Sequence, residues 1–495
     1  MRRRAIRLLR KVEVSGLAEA VATHLEDPDS EVRLEAARYL YRTLDGGGSS
    51  MLLQQGLEHD DLRVRAAAVG LIAKDGGPDE RTLLTEPLLR ELIAYEGMAA
   101  EEVHLEAARA LSVVDWPGRN DLLTALMDDP APAVAERAVK SAGQTGDRAF
   151  VAPLLERLQA KDGREEEARR SLAAFGTRIQ GTLYDYLTDD QTDRQLRGRI
   201  PGVLALEGTQ AAVDLLLLSR GRVPVPVWHE VVCALSHLRQ QSRSAEGGGE
   251  LEEAADRERG AANDPASDEE GPKNEQAGRR LRFPEGAVRD AVRDEAARYA
   301  ALGQVLHLAR RRTDAGSTSS SSSEEEAPLA PDALRDARRR SLERLCRLLG
   351  LRYRQDDLHN AYRGLTSDDA DLRSSALEFL DNVLEWDLKR DLLPLLDDPD
   401  GRRAAGEAAG PFDLRDMNHW GDALAYLIER NRHPKLAVRA LRAAAALKEQ
   451  APALRKKVAA AARHHPNADV REAAEEAADP PSSDPVSERP VSSVR

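Results

Sequence analysis

Apolar positions in this chain fall at helical spacing, and the pattern restarts at regular intervals. In Asp27-Pro-Asp-Ser-Glu-Val-Arg-Leu-Glu-Ala-Ala-Arg-Tyr-Leu40 a turn signal gives way to a helix. Proline presets φ for the turn, and Asp29 or Ser30 can cap the free amides that follow. The helix gathers Val32, Ala36, Ala37 and Leu40 on one face and leaves Arg33, Glu35 and Arg38 to water. The same order of residues recurs at 59–69, 128–138, 367–376, 433–441 and 465–474. The apolar residue ahead of the arginine position serves as a marker. Val32 to Val64 and Val438 to Val470 are 32 residues apart, Val103 to Val134 is 31, and Leu372 to Val438 is 66.

A period of this size holds two short helices and two turns, and one such pair cannot bury its own apolar stripe. Stacking on neighbours is the remedy, so the pattern predicts an all-α chain built as an α-solenoid of helical hairpins. The turn-Val-Arg-x-x-Ala-x-x-x-Leu signature resembles the HEAT-repeat family, an armadillo-like helical class. The predicted organisation is a HEAT-like solenoid over 1–240 and 331–479, with a solenoid helix at 283–312 between them. A disordered acidic insert at 241–282 and a disordered Ser/Glu insert at 313–330 interrupt it, and 480–495 is a disordered tail. The inserts and tail hold almost nothing to bury, and loop closure costs little more as loops lengthen. Pro201 is expected to kink or restart the helix around it.

Composition narrows the functional classes. Aromatic residues are 4% of the chain, which suits thin helix–helix contacts better than one large core. The formal charge is −14, a weak starting point for nucleic-acid or anionic-membrane binding. No apolar run approaches the ~20 residues of a membrane span, and no apolar signal region follows the basic residues 1–11. That segment reads as the second helix of a repeat lacking its first. The default is a cytoplasmic chain, held at the inner membrane, if at all, through a partner and without direct insertion. Cys233 and Cys346 sit in apolar runs and read as small buried residues.

No catalytic constellation stands out, and no catalytic, cofactor-binding or metal-ligating residue is assigned. Cys-x-x-Cys, His-Glu-x-x-His, Gly-x-x-x-x-Gly-Lys-Ser/Thr and Gly-x-Ser-x-Gly are absent. The fold resembles that of HEAT-type di-iron hydroxylases, but these need several His-Glu pairs and this chain has only His229-Glu230. HEAT-like DNA glycosylases would need a basic, aromatic-lined groove, and bilin lyases show no specific match. The Asp and Arg residues of the repeat are expected to form a structural ladder along the stack: Asp29, Arg33, Asp61, Arg65, Asp369, Arg373, Arg439, Asp469 and Arg471. Arg194, Arg197 and Arg199 form a short basic patch whose ordinary reading is a solvated face.

Two segments carry a narrower resemblance: Arg199-Ile-Pro-Gly-Val-Leu-Ala-Leu-Glu-Gly-Thr-Gln-Ala-Ala-Val-Asp-Leu-Leu216 and Ala361-Tyr-Arg-Gly-Leu365, with Leu372 to Leu384 behind it. They look like the cytoplasmic HEAT region of bacterial ATP/ADP-translocase-like carriers. That resemblance implies a regulatory arm of a membrane carrier, although neither transmembrane helices nor a cyclic-nucleotide cassette accompany it here. The leading expectation is a non-enzymatic protein-interaction scaffold with protein partners, no nucleic acid and no cofactor.

Overall fold

The structure, a computed structural model, describes residues 1–12, 16–43, 53–97, 99–160, 163–259, 280–315, 329–398, 417–445, 458, 460, 463–465 and 467–478. Among these residues every regular element is helical and no strand occurs. The expected disordered segments at 316–328 and 479–495 lie outside them, as does 260–279 of the acidic insert. The chain divides into two compact units, Met1–Ile179 and Gln180–Arg495.

The first unit runs α1 (Arg2–Lys11), α2 (Ala18–Ala22), α3 (Ser30–Thr43), α4 (53–57), α5 (Leu62–Asp75), α6 (Pro78–Arg81), α7 (Glu86–Ile93), α8 (Ala100–Ala110), α9 (Arg119–Leu126), α10 (Pro132–Thr145), α11 (Val151–Gln159) and α12 (Glu165–Ala173). Marker residues place the long helices. Val32, Val64, Val103 and Val134 are each at most 2% exposed, in α3, α5, α8 and α10 respectively. These helices pack in sequence, α1 on α3, α3 on α5, α5 on α8, α8 on α10 and α10 on α12. At the first contact Ile6, Val21, Val32, Ala36, Tyr39 and Leu40 form one buried cluster. At the last, Gly143 of α10 lies so close to α12 that an added Cβ would sit 2.7 Å from Ser171 Cα. A left-handed Gly146 (φ 65°) then ends α10, a conformation that glycine adopts without a Cβ clash.

The second unit runs α13 (Gln180–Thr188), α14 (Arg194–Glu207), α15 (Gln210–Leu218), α16 (Val225–Arg259), α17 (Glu285–Ala315), α18 (Pro331–Leu349), α19 (Gln355–Leu365), α20 (Ala370–Val383), α21 (Trp386–Leu396), α22 (Trp420–Glu429), α23 (Pro434–Ala445) and α24 (Ala468–Ala478). α14 packs on α16, α16 on α18 and α18 on both α17 and α19, while α22 joins α17 to α23. The inner faces of α17, α22, α23 and α24 share a core that includes Leu302, Leu306, Leu424, Leu427, Leu441 and Val470.

Three sequence expectations are revised. α14 passes through Pro201 without restarting, with Ile200, Pro201 and Val203 all buried. Burial of that face offsets the one backbone hydrogen bond that proline cannot donate. α16 continues to Arg259, well into the segment expected to be a disordered insert. Ala, Glu, Leu and Arg predominate from 250 to 259 and favour helix, against a cost of about 1 kcal/mol for each glycine at 247–249. Glu35, expected to face water, is 1% exposed, because α1 covers it and supplies Arg7 at 3.1 Å and Arg10 at 3.4 Å.

One buried carboxyl makes stability depend on pH. Glu207 ends α14, and burial pushes its pKa up to about 7 against the opposing hydrogen bond from Gln180 Nε2 at 2.5 Å. The folded state therefore holds this proton more tightly than the unfolded chain. The stability that results is complete at pH below about 4.5 and lost as pH rises through about 7. Glu207→Gln is expected to raise stability at pH 8 by on the order of 2 kcal/mol, after allowance for partial exposure, and to leave it nearly unchanged at pH 4. Urea titrations at the two pH values measure this, and equal shifts at both would refute the assignment.

Candidate functional site

The repeat residues make two kinds of bond. The first closes a turn on itself. Arg33 donates to Asp27 O at 2.7 Å, Arg373 to Ser367 O at 2.7 Å and Arg471 to His465 O at 2.7 Å, while Arg65 Nε donates to His59 O. In these four turns the acceptor stands six residues before the arginine, so the guanidinium ties the helix to the turn that starts it. Asp29, Asp61 and Asp369 cap the same turns, accepting from Glu31 N, Arg63 N and Asp371 N at 2.8–3.0 Å. Asp469 is exposed instead, and Asn467 accepts from Val470 N at 3.2 Å. Arg439 is exposed on α23.

The second kind reaches the next repeat. Arg33 Nη2 donates to Asp61 at the head of α5. His104 holds the position equivalent to Arg33 and contacts Asp129 Oδ2 at 2.8 Å and Tyr95 O at 3.0 Å. Both partners are acceptors, so the ring satisfies the two together only with a proton on each nitrogen. A further ladder uses the residue before each marker: Glu31, Arg63 and Glu102 alternate in sign. Arg63 donates to Glu31 and to Glu102 (3.2 Å), and Arg38 reaches Glu102 at 3.1 Å. The hydrogen bond from Arg63 holds the Glu31 carboxyl below its usual range. Aligning the repeats on their markers would have shown this alternation; reading only the Asp and Arg positions missed it.

The expected basic patch does not form as one surface. Arg197 is 4% exposed, donating to Leu187 O at 3.0 Å and pairing with Asp190 at 3.1 Å. It is buried because its neighbours Leu196 and Ile200 face the core. Arg199 is half-buried, and Arg194 alone turns to a cavity within the second unit.

That cavity, of about 250 Å³, gathers more charged side chains than the other cavities described. The start of α16 contributes Val225, Pro226, His229 and Glu230; α17 contributes Arg298; α18 contributes Arg340, Glu343 and Arg344; the turn into α23 contributes Asn431 and His433, and the first turn of α23 contributes Lys435. Arg432 holds that turn in a left-handed conformation (φ 51°), and its carbonyl accepts from Val225 N at 3.0 Å. The turn is thereby fastened to the head of α16, with Asn431 and His433 on either side of the strained residue.

A buried carboxylate supports the cavity. Glu295 is fully buried; its Oε1 accepts from Arg344 (3.0 and 2.8 Å) and Ser341 (2.6 Å), and its Oε2 from Arg298 (2.8 Å) and Trp228 Nε1 (3.2 Å). Burial alone would raise its pKa, but the charges of Arg298 and Arg344 prevail and the carboxyl is held below its usual range. Burial, with Arg194 and Arg344 nearby, pushes His433 down to about 4. Burial also lowers His229. Both imidazoles are therefore neutral at physiological pH.

Cys233 stands 3.7 Å from His229, and burial pushes the Cys346 thiol up to about 12. Neither thiol resembles a lowered-pKa nucleophile. Among the described residues no group of three or more His, Cys, Asp and Glu is placed to hold a metal ion, and no helix is long and apolar enough to cross a membrane. No protein-family model matches the chain, and no curated protein does.

Proposed function

We propose that the chain is an α-solenoid of HEAT-like hairpins serving as a non-enzymatic scaffold that binds another protein. The observation carrying this reading is the recurring turn lock, an arginine bonded to the carbonyl six residues earlier, in helices that pack one on the next. A bond that recurs in four separate turns is architectural, and an array of stacked repeats offers a long continuous surface to a partner. The test is affinity capture of the full chain from its source cells, followed by reconstitution of the captured complex from purified components. A saturable complex of defined stoichiometry is expected. Failure of every captured protein to rebind, or turnover of a substrate by the purified chain, would overturn the reading. Capture of a multi-span carrier in the membrane fraction would extend it to the regulatory arm that residues 199–216 and 361–384 resemble.

A further inference from the structure

The geometry points to a binding site for a small phosphate-bearing anion in the cavity between the head of α16, α17, α18 and the turn into α23. Five cationic side chains line it (Arg194, Arg298, Arg340, Arg344 and Lys435) against two carboxylates. Their partners decide the balance. Arg298 and Arg344 are committed to Glu295 beneath the floor, and Glu343 to Arg347 at 2.8 Å. Among the described residues Arg194, Arg340 and Lys435 have no carboxylate partner, and Glu230 has no cation. Three unpaired cations, and the one charge by which Arg298 and Arg344 together exceed Glu295, less one unpaired carboxylate leave a net of three positive charges, more than enough to balance the two negative charges of a phosphate dianion.

The neutral groups point the same way. Asn431 is 1% exposed and lines the cavity, yet neither its amide nitrogen nor its amide oxygen has a partner. A buried amide without hydrogen bonds is destabilising, and most folds avoid it. Its donors are satisfied once an oxyanion occupies the cavity. His433 Nδ1 accepts from Leu436 N at 3.4 Å, which leaves the neutral ring's proton on Nε2 as a further donor. Fork-shaped guanidinium donors match the tetrahedral oxygens of phosphate in two-point contacts. A volume of about 250 Å³ takes inorganic phosphate or a small monoester, and lies below the range of sites for larger ligands. The site is independent of the scaffold reading, which rests on the repeat architecture.

Calorimetric titration of the full chain at pH 7.5 and matched ionic strength tests the site, using inorganic phosphate, glycerol 3-phosphate and acetate. Saturable binding of either phosphate probe, with acetate much weaker, is expected. Tighter binding of the monoester would assign an organic phosphate as the natural source, and tighter binding of the inorganic ion would assign free phosphate. Arg340→Gln alters an exposed side chain, so its thermal midpoint should match the unaltered protein, while its phosphate affinity falls about tenfold or more. Asn431→Leu should abolish binding; should it fail to fold, the Arg340→Gln result still decides. No heat of binding from either phosphate probe, acetate equal to phosphate, or an unchanged affinity in Arg340→Gln would overturn the assignment.

Discussion

Replacing Arg344 by methionine is expected to lower the unfolding free energy of the second unit by about 3–5 kcal/mol, because it strands the buried Glu295 carboxylate without its principal partner. Arg344 supplies two of the three hydrogen bonds to Oε1 and much of the charge that keeps Glu295 ionised. A carboxyl with a lowered folded pKa contributes stability above its unfolded value, near 4.5, and that stability is lost as pH falls through the folded value. In Arg344→Met the lowering weakens, so acid unfolding should begin at higher pH. The double variant Glu295→Leu/Arg344→Met removes both charges, and its loss should be smaller than that of Arg344→Met alone, although Trp228, Ser341 and Arg298 still lose an acceptor. Urea unfolding of the single and double variants measures the coupling. Strictly additive losses would show that the pair is not energetically linked.

Phe150→Ala carries the second large effect, about 3–5 kcal/mol for emptying a site that is 1% exposed ahead of α11. Its distribution matters as much as its size. In a stack where each helix pair meets only its neighbours, the damage should stay near α9 to α12, while α1 to α5 keep their protection. Amide hydrogen exchange on the full chain resolves the two regions. A uniform loss of protection across Met1–Ile179 would mean a single cooperative core and would count against the solenoid.

Local order was legible in the sequence and long-range pairing was not. The turn signals place the starts of α3, α5, α10, α20 and α23 within a residue or two, at Ser30, Leu62, Pro132, Ala370 and Pro434. Proline, aspartate and apolar spacing act over a few residues, so a single strand of text contains them. Trp228, Glu295 and Arg344 have no such signature, since the contact joining them spans 67 and 49 positions. Arg197 shows the other limit. A run of arginines looks solvated until the apolar residues beside it turn one of them inward to Asp190. The cavity escaped notice for the same reason, because its cations are contributed by four separate helices and Asn431 by a turn.

The turn lock has an evolutionary consequence. Donor and acceptor lie within seven consecutive residues, so a duplicated or deleted stretch of whole repeat length carries its closure along intact. Only the contacts to the flanking copies need to be matched anew, and Arg33 with Asp61 or His104 with Asp129 shows that different residue pairs meet that need. On the proposed repeat reading, the number of repeats can therefore drift while each retained turn still folds, so that the chain's length would be easier to change than its parts.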